Sequence, residues 1–99
     1  MSEVWTHGTW TVVAGRESDF VRLWEQLGDW TVKAFPGARG TLLRDTERPN
    51  VFISFGPWPN RDTAVRWRAS PEFQKNLAAI RETLELFEPL LLEPVTTKY

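Results

Sequence analysis

An α+β fold of order β-α-β-β-α-β, a four-stranded antiparallel sheet with helices on one face, is what this sequence of 99 residues predicts. Three observations carry that expectation. Residues 4–13, V-W-T-H-G-T-W-T-V-V, and 51–56, V-F-I-S-F-G, are dense in β-branched and aromatic side chains, which suit a pleated strand. Apolar residues recur at helical spacing from Phe20 to Phe35 and again from Phe73 onward. Proline and glycine pairs separate these runs, and no linker or low-complexity stretch divides residues 1–99, so the chain reads as one domain.

The first strand has no plainly polar face. Val4, Thr6, Gly8, Trp10 and Val12 line one side, and Trp5, His7, Thr9, Thr11 and Val13 the other. Both sides are therefore expected to be covered. Ala14-Gly15 breaks the strand, and Ser18 or a near neighbour caps a helix with Glu17 and Asp19 near its positive end. Phe20, Leu23, Trp24, Leu27, Thr31, Ala34 and Phe35 mark its buried stripe. Gly28 inside it costs about 1 kcal/mol relative to alanine. Pro36-Gly37 stops the helix.

Residues 38–45 read as a second strand, T-E-R-P-N as a turn, and 51–56 as the third strand, ended or placed at an edge by Pro57. A short helix follows from Arg61 to about Ala69, capped by Asn60. Ser70-Pro71-Glu72 opens another, with a hydroxyl cap, a first-turn proline and an acid near the dipole. Phe73, Leu77, Ile80, Leu84 and Phe87 form one stripe along it, and Pro89 ends it. The tail L-L-L-E-P-V-T-T-K-Y supplies the last strand, interrupted by Pro94. The sum is the split βαβ, ferredoxin-like pattern.

Composition excludes much. Net charge is −1, with 12 Lys and Arg against 13 Asp and Glu, so no basic field awaits nucleic acid or an anionic membrane. There is no cysteine, which removes disulfides, zinc-thiolate sites and thiol nucleophiles, and one histidine cannot build a histidine metal site. No apolar run approaches the roughly 20 residues of a membrane span, and M-S-E-V-W lacks a signal-peptide pattern. A cytoplasmic protein is expected. Six tryptophans in so small a domain point to packed interfaces, an aromatic pocket, or both.

Helices can cover one sheet face. The other, carrying Trp5, His7, Thr9, Thr11 and Val13, would leave an apolar patch larger than monomers normally expose. Two such faces meeting across a two-fold axis would bury it, so a homodimer is expected.

The layout, the passage from strand through Gly15 into the first helix, F-P-G at 35–37, and W-x-x-S-x-x-F at 67–73 resemble the antibiotic biosynthesis monooxygenase family. That resemblance covers nearly the whole chain and implies a dimeric α+β barrel with a pocket in each subunit between sheet and helices. Members include oxygenases of aromatic polyketides, quinol oxygenases and haem-degrading enzymes. In those that need no metal or flavin, an acidic phenol or hydroquinone supplies the electrons, and the protein supplies a dry aromatic cavity and hydrogen bonds to the developing oxyanion.

Carried over residue by residue, the tryptophan that the haem-degrading branch places over its substrate is Trp67. The position of that branch's haem-ligating histidine is Leu77, and that of its first-strand asparagine is Gly8. Leucine cannot coordinate iron, so haem degradation is disfavoured and no cofactor or metal is expected. The polyketide-oxygenase branch places an asparagine at Thr63 and a tyrosine at Phe73. Thr63 keeps a hydrogen-bonding hydroxyl; Phe73 does not.

The candidate catalytic residues are thus Trp67 and Thr63, with His7 as runner-up for its near-neutral pKa. Alternation places His7 opposite Gly8, which favours an interface role unless a bulge at Gly8 shifts the register. Thr6, Gly8, Trp10, Trp67, Phe73 and Leu77 are the expected pocket residues. Trp67 either packs the short helix on the sheet or walls a planar ligand, where its N–H could donate to a ligand oxygen. Two functions follow. One is a cofactor-independent monooxygenase of a small phenolic or quinol-like aromatic, with dioxygen as co-substrate. The other is a non-catalytic small-molecule-binding or accessory dimer of the same fold.

Overall fold

A computed structural model describes residues 3–98. The element order is β1 (Val4–Val12), α1 (Glu17–Ala34), β2 (Thr41–Arg44), β3 (Val51–Trp58), α2 (Arg61–Ala69), α3 (Pro71–Arg81) and β4 (Leu84–Leu92). The strands form one antiparallel sheet in the order β2-β3-β1-β4. This is the expected α+β arrangement, with α2 and α3 as the two halves of a broken second helical segment.

Alternation along β1 is strict: Val4, Thr6, Gly8, Trp10 and Val12 are buried and the residues between them half-buried. The buried face meets the helices. Trp10, Val12 and Phe52 of the sheet pack with Phe20 and Leu27 of α1 and with Phe73, Leu77 and Ile80 of α3. A smaller cluster of Val4, Trp58 and Ala64 closes the other end of the layer, and Trp67 touches both clusters.

The last helix and strand differ from expectation. α3 stops at Arg81, and Leu84 and Phe87 belong to β4, which pairs with β1 from Val12↔Leu84 to Trp5↔Leu92. The helical stripe continues into the strand by coincidence of spacing. What decides is Thr83. It is fully buried, its N–H and hydroxyl both donate to the Ile80 carbonyl, and its own carbonyl accepts from Val13 N–H. That turn aims the chain along β1, where pairing satisfies its backbone groups. Pro89 lies inside β4 and is tolerated because β4 is an edge strand.

Pro57 likewise does not end β3; the strand runs to Trp58, beyond the reach of β2, whose last partner is Phe55. Residues 38–40, expected in the second strand, instead lie across Gly56 as a loop. Asn60 caps α2 as expected, accepting from Thr63 N–H at 2.8 Å. Two other caps do not form. Arg16, not Ser18, precedes α1, without a side-chain cap. The Ser70 hydroxyl donates back to the Arg66 carbonyl and closes α2 rather than opening α3.

The face away from the helices carries Trp5, His7, Thr9 and Thr11 of β1, Ile53 and Phe55 of β3, and Leu86, Leu90 and Leu92 of β4. Leu43, Leu86 and Leu90 are each about half exposed, at 51%, 52% and 50%. Trp5 leans on Phe55, with ring centroids 6.3 Å apart.

Candidate functional site

Between α1 and the sheet lies a cavity of about 300 Å³. That is at the small end of ligand pockets and suits a compact aromatic molecule. It exists because α1 leans on α3 rather than lying flat on the strands, and because a glycine of α1 stands where a side chain would enter the gap. Gly28 of α1 faces the cavity, and a Cβ placed on it would meet nothing within 4 Å. Gly40 and Gly56 form the opposite rim.

The wall is aromatic. Trp58, Trp67 and Phe73 touch in sequence, with centroid separations of 4.9 and 4.6 Å, and Phe35 backs Trp58 at 5.6 Å. Trp10 and Phe87, which also border the cavity, stack on each other at 3.9 Å. Trp24 of α1 also borders the space.

The indole N–H groups of three of these tryptophans are held by hydroxyls. Trp67 Nε1 donates to Thr31 Oγ1 at 2.9 Å, and Thr31 Oγ1 donates on to the Leu27 carbonyl. Trp58 Nε1 donates to Thr6 Oγ1, which in turn donates to the Gly56 carbonyl. Trp10 Nε1 donates to Ser54 Oγ at 2.9 Å. Each pair satisfies a buried donor and fixes the ring. In the first two the hydroxyl has spent its proton on a carbonyl. Ser54 has not: its oxygen accepts from Trp10, and its own proton has no acceptor among the described residues. Ser54 is therefore the wall hydroxyl with a donor left to offer a ligand.

Of the residues expected at the site, Thr6, Gly8, Trp10, Trp67 and Phe73 border the cavity. Leu77 does not; it is 6% exposed within the core. Thr63 also lies apart, its N–H and hydroxyl both donating to Asn60 Oδ1 at the start of α2. The Trp67 N–H, expected as a possible donor to ligand, is committed to Thr31.

His7 borders the cavity as well, although alternation sends its side chain to the opposite face, with Phe55 and Leu90 as cross-strand neighbours. Its Nδ1 is buried with no hydrogen-bond partner among the described residues. The bulge that could have turned it inward is absent at Gly8; the β1–β4 register shifts between Thr11 and Val12 instead. At Gly8, a Cβ would sit 3.0 Å from both Phe87 Cε1 and Trp10 Nε1 and 3.1 Å from Ser54 Oγ. The space an asparagine would need is already occupied.

Sequence reasoning passed over Ser54, Thr31, Trp58 and Arg68. Strand parity could have found Ser54, since it pairs with Gly8 across β1 and β3. Thr31 was visible as a polar residue inside an apolar helical stripe. Trp58 was hidden by Pro57. Among the described residues no three His, Asp or Glu side chains gather as metal ligands, and no helix is long and apolar enough to cross a membrane.

The profile of a family described as antibiotic biosynthesis monooxygenase matches residues 4–79. Among solved structures, SnoaB, a cofactor-independent oxygenase from Streptomyces nogalater, superposes with a TM-score of 0.87 at 26% identity, covering 98% of this chain and 97% of that one. A Caulobacter crescentus protein bearing the same family name gives 0.84 at 19% identity, covering 96% and 92%. A conserved protein from Methanosarcina mazei gives 0.84 at 17%, covering 94% and 93%. No curated protein sequence matches the chain.

Proposed function

The chain belongs to the antibiotic biosynthesis monooxygenase family, and from that premise we propose that it is a cofactor-independent monooxygenase of a small phenolic or quinol-like aromatic. The observation that carries the reading is the indole-walled cavity beneath α1. Trp58, Trp67, Phe73, Trp10 and Phe87 together offer it aromatic surface suited to a flat ring. The kinship of fold with SnoaB, itself a cofactor-independent oxygenase, supports the same chemistry.

The balance is simple. One oxygen atom enters a ring carbon that bears hydrogen, the other leaves as water, and the phenol becomes a quinone. The substrate supplies all the electrons. Its anion is the electron donor, so any group that stabilises the phenolate raises the fraction ready to react with dioxygen. Ser54 is placed for that role: it is anchored by Trp10 and has a free proton. Thr6 and Thr31 act through the rings they hold, and Trp67 and Trp58 orient the substrate.

Oxygen uptake with a panel of dihydroxynaphthalenes and hydroquinones tests the reading. Turnover is expected with at least one of them. Ser54→Ala is then expected to lower kcat/KM by about 10- to 100-fold, the worth of a hydrogen bond to a developing charge. A panel that binds without consuming oxygen would leave a binding or accessory protein in place of an enzyme.

The assembly we infer is a homodimer closed through the open sheet face. Leu86, Leu90 and Leu92, half exposed beside Trp5, Phe55 and Ile53, form an apolar surface that a second copy would cover. Sedimentation at micromolar concentration is expected to report twice the 11.5 kDa chain mass. Leu90→Asp, at the centre of that face, should shift it to the monomer. A parent protein that sediments as a single chain would refute the dimer.

A further inference from the structure

The cavity's charges are not equivalent. Glu25, Asp29 and Arg39 border it but are exposed, so water and salt screen them. Arg68 borders it too and is half-buried, one residue beyond Trp67 in the last turn of α2. The ion pairs among the described residues are Arg16–Asp19, Arg22–Asp19 and Arg48–Asp45; none involves Arg68. Its hydrogen bond is from Nη2 to the Leu90 carbonyl at 2.9 Å, which steadies the side chain and leaves the remaining guanidinium donors uncommitted.

Burial holds the Arg68 pKa below the ordinary arginine value. The group nonetheless stays charged at any working pH. A partly desolvated guanidinium without a carboxylate partner is costly, and a ligand anion would repay that cost.

We propose that Arg68 selects an anionic substrate, an aromatic carrying a carboxylate or a comparable oxyanion beside its phenolic ring, by a charge-assisted hydrogen bond at the Trp67 end of the cavity. This rests on the aromatic-cavity reading above and narrows it. The planar fork of arginine suits a carboxylate or a phenol–carboxylate pair, whereas the indole wall takes the ring. The Leu90 bond ties the same guanidinium to β4, so a structural role for Arg68 predicts a different outcome from a recognition role.

Two probes of one shape separate these roles: 1-hydroxy-2-naphthoate and its primary amide, with binding followed by quenching of tryptophan fluorescence. The unaltered protein is expected to bind the acid about 10- to 100-fold more tightly than the amide, the range of a hydrogen bond to a charged group. Arg68→Gln should bring that ratio close to one without weakening the amide, and Arg68→Lys should restore part of it. A fall in Tm with an unchanged ratio would mean that Arg68 only anchors β4, and the proposal fails. Equal binding of both probes by the unaltered protein defeats it without any variant, while leaving the aromatic cavity intact. Binding of neither probe removes the aromatic cavity itself, and this inference with it.

Discussion

Gly28→Leu is expected to abolish oxygen uptake while leaving the fold at least as stable as the parent. Gly28 sits inside α1, and a Cβ built on it meets no atom within 4 Å because it enters the cavity. A leucine side chain there would intrude into the roughly 300 Å³ on which substrate binding depends. Misplacing a reacting ring by even an ångström costs on the order of 100-fold in rate, and exclusion costs more. The helix, meanwhile, loses its weakest interior residue, which gains roughly 0.5–1 kcal/mol. The new side chain also covers apolar wall that was facing a void. Thermal melting together with naphthoate binding checks both halves. A variant that melts lower than the parent, or that still binds the ligand, would mean that Gly28 does not face the substrate space.

The second glycine behaves in the opposite way. Gly56→Ala is expected to destabilise the protein by about 1–3 kcal/mol, the range of an overpacked site. In a domain of this size each kcal/mol lowers Tm by about 4–8 °C. The cause is steric rather than conformational: the Cβ would overlap the Arg39 carbonyl and crowd Gly40, so the 38–40 loop must lift from β3. Arg39 and Gly40 border the cavity, so ligand affinity should fall together with stability. A variant that melts with the parent would show that the loop does not press on β3. The larger substitution is the one expected to be tolerated, because the Gly28 Cβ meets open space whereas the Gly56 Cβ meets backbone.

The same contrast explains what could be read ahead of the structure. Asn60 was legible as a cap because capping is local: a side chain reaches a backbone N–H three residues on. The alternation of β1 was legible because parity needs no partner. Phe87 was not. Its spacing from Phe73, Leu77, Ile80 and Leu84 fits a helix, yet it lies opposite Trp10 on a strand and stacks on it. A short apolar run satisfies both periods, and the competing term, pairing with β1 across more than seventy residues of sequence, is nowhere in the local pattern. Ser70 shows the limit from the other side. A capping hydroxyl was recognised, but a serine between two helices has two carbonyl and amide sets within reach, and it closes α2.

From the order of its residues alone this chain specifies an antiparallel sheet roofed by helices, the positions that turn inward, and its kinship by short motifs around Trp67. These follow from periodicity, proline and glycine, which act within a few residues. Tertiary structure decided the rest: that α1 stands off the sheet over a hollow, that Thr63 and Leu77 fall outside it, and that Ser54 and Arg68 border it together with Trp67. A cavity is made by what distant segments fail to fill, and no local stretch of sequence records an absence.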